Sequence, residues 1–215
     1  MRSWRIVFIS LNLGILYINM EGYAVAQLRS ITKSDRPSPD NEHSWAAVAV
    51  IYNPCLNAVL IGKRTENPSD PWSGDAAFPG GRFNPRKDRD LVETAIREAR
   101  EEVGLDLTKD AELLGVLDPI SPSNAPNINV VPVIFSLKDC NPKLTINETE
   151  LSKVFWLYIS DVTNYVKLNV MIKGFPRPAI IMGDVTIWGM TYRILRKLLR
   201  EAFGIDLPRD PRDIG

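Results

Sequence analysis

GGRFNPRKDRDLVETAIREAREEVGL, residues 80–105, opens as a glycine-rich loop and becomes a helix. Leu91, Ala95, Ala99 and Val103 recur every four residues, which predicts a helix from Leu91 to Gly104, with Gly104 as its C-terminal stop. On a helix, positions i, i+3 and i+4 share a face, so Glu98, Glu101 and Glu102 are presented together. Like charges at that spacing repel. A divalent cation would remove the conflict, and oxygen-only ligation suits Mg²⁺ or Mn²⁺. The competing reading is an ordinary helix surface neutralised by Arg97 and Arg100. Upstream, Gly80-Gly81 follows Phe78-Pro79, where glycine lets the backbone turn sharply or approach a ligand or the helix closely.

Composition narrows what such a site could serve. Of 215 residues, 45% are hydrophobic and 24% charged, too apolar and too balanced for a disordered chain. Lys and Arg number 26, as do Asp and Glu, so the basic excess expected of a nucleic-acid binder is absent. Two cysteines, Cys55 and Cys140, are too few for a disulfide scaffold or a thiolate zinc site. They have no histidine nearby in sequence and are expected to be inert. One histidine, His43, leaves little for a Ser-His or multi-histidine mechanism and is expected to be exposed. Any polar chemistry must rest on carboxylates.

Outward from the helix, strand-like runs cover Trp45 to Tyr52 and Ala58 to Arg64, with Asn53-Pro54 and Asn57 supplying hairpin turn chemistry. Residues 65–85 predict a long loop. More strands are expected at Leu113–Leu117, Val130–Leu137, Val154–Tyr158, Val166–Lys173 and Ala179–Met182. A last helix runs from about Ile187 to Phe203, its Arg193, Arg196, Lys197 and Arg200 side read as solvated. Strands mixed with two helices indicate an α+β or α/β sandwich. Residues 28–44 read as a polar linker and DLPRDPRDIG as a loose tail. Residues 1–20 begin with Arg2 and Arg5, continue uncharged to Glu21 and precede Ala24-Val25-Ala26. That is the outline of a signal peptide or weak anchor. An over-extended start before Met20 is the alternative, and a cytoplasmic location the expectation.

Glycine loop, Arg-Glu, paired Glu and Gly-Leu together resemble the Nudix box. Its second half is complete as Arg97-Glu98-Ala99-Arg100-Glu101-Glu102-Val103-Gly104-Leu105. The first half departs: the family's early glutamate falls on Arg89, and the loop from Gly81 is two residues longer. That glutamate supports the arginine, so Asp88, Asp90 or Glu93 would have to substitute. Leu60–Arg64, Gly74 with Phe78–Gly81, Leu117–Ile120, Val130–Val133, Asn147–Leu151, Val154–Trp156 and Ile187–Thr191 extend the likeness to the coenzyme A pyrophosphatase branch. That branch's extra arginine before Gly74 and its His-X-Gly-Gln stretch are missing from Ser69–Asp75.

The resemblance implies an α/β/α sandwich with a mixed β-sheet over residues 45–204, flanked by segments 1–44 and 205–215. It implies metal-dependent hydrolysis of a nucleoside diphosphate derivative, coenzyme A or a related compound. ADP-ribose, another nucleotide sugar, or a non-catalytic ligand-binding role are the alternatives. An isomerase on this fold would want a cysteine in a pocket loop, and neither cysteine falls in an obvious one. Glu98, Glu101 and Glu102 would hold Mg²⁺ or Mn²⁺, Glu98 with a second role as base, while Arg97 orients a glutamate. Gly80 and Gly81 would lie near the metal and phosphates; Glu150 would be a further ligand or general base. Arg64 would hold a phosphate or a structural ion pair. Trp188 is expected in the core, and Trp72 in loop packing or stacked on a base. A homodimer is compatible with this reading; nucleic acid and a stable membrane partner are not expected.

Overall fold

The computed structural model describes residues 6–11, 14–40, 42–70, 72–123 and 125–211, with backbone alone before residue 21. Arg2, Arg5, Asn12 and Leu13, part of the signal-like outline, lie outside the described residues. A hairpin of β1 (Ile6–Leu11) and β2 (Gly14–Asn19) leads into helix α1 (Met20–Ser30). Then come β3 (Ser44–Asn53), β4 (Ala58–Arg64), β5 (Ala76–Ala77), β6 (Gly80–Arg82), α2 (Leu91–Val103) and α3 (Leu107–Asp110). The chain continues through β7 (Ala111–Val116), β8 (Ile128–Leu137), β9 (Leu151–Tyr158) and the single turn α4 (Val162–Tyr165). It ends in β10 (Val166–Ile172), β11 (Phe175–Met182), β12 (Val185–Ile187) and α5 (Gly189–Phe203).

β3 and β8 run parallel at the centre of a mixed sheet of order β5-β4-β3-β8-β7, with β6 on β3 and β9 on β4. Both read as nearly unbroken apolar runs because both faces of the sheet are covered. The pleat sends Ala47, Ala49 and Ile51 to one side, where they pack with Leu91, Val92, Ala95, Ala99 and Val103 of α2. Ala46, Val48, Val50 and Tyr52 go to the other, against Ile194, Leu195, Leu198 and Leu199 of α5 and Leu28 of α1. Helices on both faces make an α/β/α sandwich, and β10-β11-β12 form a separate three-stranded sheet beside it.

The expected β3–β4 hairpin forms, closed by Asn57 in the left-handed region (φ 49°) and by Asn53 Oδ1, which accepts from the Cys55 and Leu56 amides. It pairs only at its tip, Tyr52 with Val59 and Asn53 with Ala58. Below that, β3 takes β6 as its neighbour and β4 takes β9.

Three expectations are corrected by packing. The first part of the expected polar linker, residues 28–36, is packed on the domain: Leu28 is fully buried, Lys33 bridges Val116, and Arg36 pairs with Asp90 at 2.6 Å. The segment after α5 is tied down through residue 210, with Leu207 and Asp210 buried. Cys55 and Cys140, 85 residues apart, are joined in a disulfide, Cα to Cα 5.4 Å. It links the far ends of the parallel strands β3 and β8, which sequence spacing could not reveal. His43 is exposed, as expected. Among the described residues no helix is long and apolar enough to cross a membrane.

Candidate active site

Local sequence fixes α2 at both ends. The Asp90 carboxylate accepts from the Glu93 amide at 2.9 Å, and Gly104 closes the helix at φ 75°. With the apolar stripe held on the sheet, Glu98 and Glu102 face β6 and are buried, Glu102 to 2% exposure. β6 lies close because of its glycines. A methyl group on Gly81 would overlap the Glu98 carboxylate, and one on Gly80 would strike the Ala47 carbonyl and Val48. Close approach, of Gly81 to the helix and of Gly80 to β3, rather than a sharp turn, is what these two positions require.

Glu150 arrives from the loop before β9. Its amide donates to the Asn147 carbonyl at 3.0 Å, and its own carbonyl accepts from the Thr65 amide at 2.9 Å. Carboxylate oxygens of Glu98, Glu102 and Glu150 lie within 4.8 Å of one another. Burial, reinforced by the charges of Glu98 and Glu150, pushes Glu102 up to about 8. Burial also raises Glu98, against the pull of Arg97. This donor set fits a hard divalent cation, whose charge would offset both the burial and the mutual repulsion.

Glu101 does not join this group. Residues i+3 and i+4 straddle position i, so Glu101 and Glu102 point about 100° apart around the axis. Glu101 is exposed and meets Arg97 Nη1 at 3.1 Å and Lys87 at 3.4 Å. Arg97 itself is a clamp. Its Nε and Nη2 donate to the two Asp88 oxygens at 2.8 and 2.9 Å, and its Nη1 to Glu98 at 2.6 Å. Nη2 also reaches the Arg82 carbonyl of β6 at 3.1 Å.

Asp88 therefore fills the place left by the early box glutamate. It is buried, and accepts further bonds from the Thr94 hydroxyl and Asn84 amide, each at 3.0 Å. Burial would raise its pKa, but these donors together hold it below the usual carboxylate range. The other two candidates are engaged elsewhere, Asp90 in capping and Glu93 with Arg89.

A pocket of about 630 Å³ opens from the three carboxylates. Arg64 lines it with its guanidinium on Asp70, Nη2 to Oδ2 2.7 Å, an ion pair formed at the pocket wall. Trp72 lines it too. Trp188, expected in the core, is only partly buried; it lines the pocket and donates from Nε1 to Asp75 at 2.9 Å. An aromatic at a strand-to-helix junction carries no sequence signal that separates a core residue from a pocket wall.

Comparison with known proteins places the chain further. Residues 42–175 match the NUDIX domain. Mitochondrial coenzyme A diphosphatase NUDT8 of Homo sapiens is 31% identical over 158 residues, covering 68% of this chain and 65% of that protein, just under two thirds of its length. The uncharacterized Nudix hydrolase NudL of Yersinia enterocolitica is 25% identical over 196 residues, covering 86% of this chain and 97% of that one. Among solved structures, the Nudix hydrolase RenU of M. smegmatis aligns with a TM-score of 0.49 and 15% identity, over 78% of this chain and 89% of that one.

Proposed function

We propose, on the premise that this chain belongs to the Nudix family of hydrolases, that it cleaves the diphosphate of a nucleoside diphosphate derivative, coenzyme A first among the candidates. The observation that carries this reading is the gathering of Glu98, Glu102 and Glu150 at one end of a pocket large enough for a nucleotide derivative. The relative NUDT8, named as a coenzyme A diphosphatase, supports the choice of substrate.

Glu98 and Glu102 would hold Mg²⁺ or Mn²⁺. When bound, such an ion neutralises diphosphate charge and acidifies water. Arg97 fixes the Glu98 carboxylate against β6, and Asp88 fixes Arg97. Glu150, the exposed member of the group, accepts the proton of the water that attacks phosphorus as the bridging P–O bond breaks. Glu101 acts from outside this group, through Arg97.

A second reading, ADP-ribose or another nucleotide sugar, is favoured by the missing coenzyme A signature at Ser69–Asp75. One assay tests both. Purified protein with Mg²⁺ or Mn²⁺ is incubated with coenzyme A, ADP-ribose, NADH and diadenosine polyphosphates. Turnover of coenzyme A above the others is expected. No turnover of any, under conditions where metal binds, would refute the proposed activity.

A further inference from the structure

The wall of the pocket formed by Lys173, Arg177 and Trp188 is held by a residue from the C-terminal tail. The Arg177 guanidinium carbon lies 5.5 Å from the Trp188 ring centroid, and Lys173 Nζ lies 4.8 Å from it. Asp75 anchors the indole N–H. Behind this wall Arg177 Nη1 donates to Asp210 Oδ2 at 3.0 Å, with side chains only 8% and 3% exposed. The tail is fastened there by Tyr192, whose hydroxyl donates to the Pro208 carbonyl, and Arg196, whose Nε donates to the Leu207 carbonyl, both at 2.8 Å. Arg177 Nε is buried with no hydrogen-bond partner among the described residues.

A buried ion pair is a poor source of net stability, since an apolar pair of similar volume often does as well or better. A pair with one donor left unmatched is costlier still. What an apolar pair could not do is place a guanidinium against an indole in a pocket wall. We propose that Asp210 is a positioning residue: it holds Arg177 against Trp188, so that the tail completes the wall receiving the substrate beyond its scissile diphosphate. The cations of that wall suit an oxygen-rich, anionic substituent such as a further phosphate. The inference rests on the hydrolase reading for its substrate, while the placement of Trp188 can be tested without it.

The test compares Asp210→Asn, Asp210→Glu and the apolar double variant Arg177→Met with Asp210→Leu. KM and kcat are measured for coenzyme A with Mg²⁺. Trp188 emission is taken as the difference between each protein and the same protein carrying Trp188→Phe. For Asp210→Asn, KM should rise at least about tenfold with kcat within about twofold, the signature of lost ground-state binding. Asp210→Glu should recover most of it, and Trp188 emission should shift in Asp210→Asn. The double variant should keep the thermal midpoint and still show the raised KM. A wild-type KM in the double variant, or unchanged KM and Trp188 emission in Asp210→Asn, would overturn the proposal. If Asp210→Asn does not fold, the double variant decides alone. If the wild type hydrolyses nothing, the hydrolase reading fails, and the emission comparison decides whether Asp210 positions the wall.

Discussion

On the Arg97 side of α2, buried charge is matched: Asp88 takes two bonds from the guanidinium and two more from Thr94 and Asn84. On the Glu102 side, Glu98, Glu102 and Glu150 crowd together, and the nearby cation Arg64 is already held by Asp70. The first cluster holds its carboxylate's pKa below the ordinary range, and the second drives Glu102 above it. The difference separates scaffolding from function. The first cluster is complete within the protein, whereas in the second Arg97 reaches only Glu98, so that Glu102 and Glu150 are the carboxylates a cation would serve.

Substitutions can break that contrast. Glu98→Gln and Glu102→Gln should each lower turnover at least about a hundredfold, the scale of losing a strong electrostatic contributor; steady-state kinetics with saturating Mg²⁺ would show it. Asp88→Asn should act first on stability, costing about 3 kcal/mol by leaving Arg97 poorly paired, or about 6–12 °C of melting temperature. Its turnover should fall by about tenfold, as for other residues that orient a ligand. Added Mg²⁺ at about a hundred times its dissociation constant should raise the wild-type melting temperature by about 5–10 °C. The rise should vanish in Glu102→Gln, and calorimetric scans with and without EDTA would measure both. Glu101→Gln is the finest test. It should cost less than about tenfold in turnover, and a hundredfold loss would place Glu101 back among the ligands.

Much of this was legible in the residues. The four-residue repeat from Leu91 to Val103 and the Gly104 stop mark α2 because one helix face must be apolar to lie on a sheet. β3 and β8 are as visible, since strands buried on both faces are continuous apolar runs. β5 and β6, two and three residues long, vanish into a loop rich in proline and glycine. α1 was hidden because an apolar start followed by Ala24-Val25-Ala26 has the composition of a signal sequence, although Ala24 and Leu28 pack in the core. Within the site, helix spacing gathers three glutamates without saying which two a neighbouring strand will bury. Glu150 could be named but not placed. Asp88 could not be separated from Asp90 and Glu93, since all three carry the right charge and only the fold decides which one Arg97 reaches. The pairing of Arg177 with Asp210 crosses 33 residues and has no local signature.

The disulfide between Cys55 and Cys140 has a use of another kind. It ties the ends of β3 and β8 remote from Gly80 and Gly81, which pair with β3 near its start. Oxidised and reduced chains should therefore share one catalytic chemistry while differing in how that end is fastened. The bond then follows the redox state of the molecule's surroundings. Alkylating thiols at the moment of cell lysis and counting them by mass would tell what fraction of the copies carries the bond in the cell.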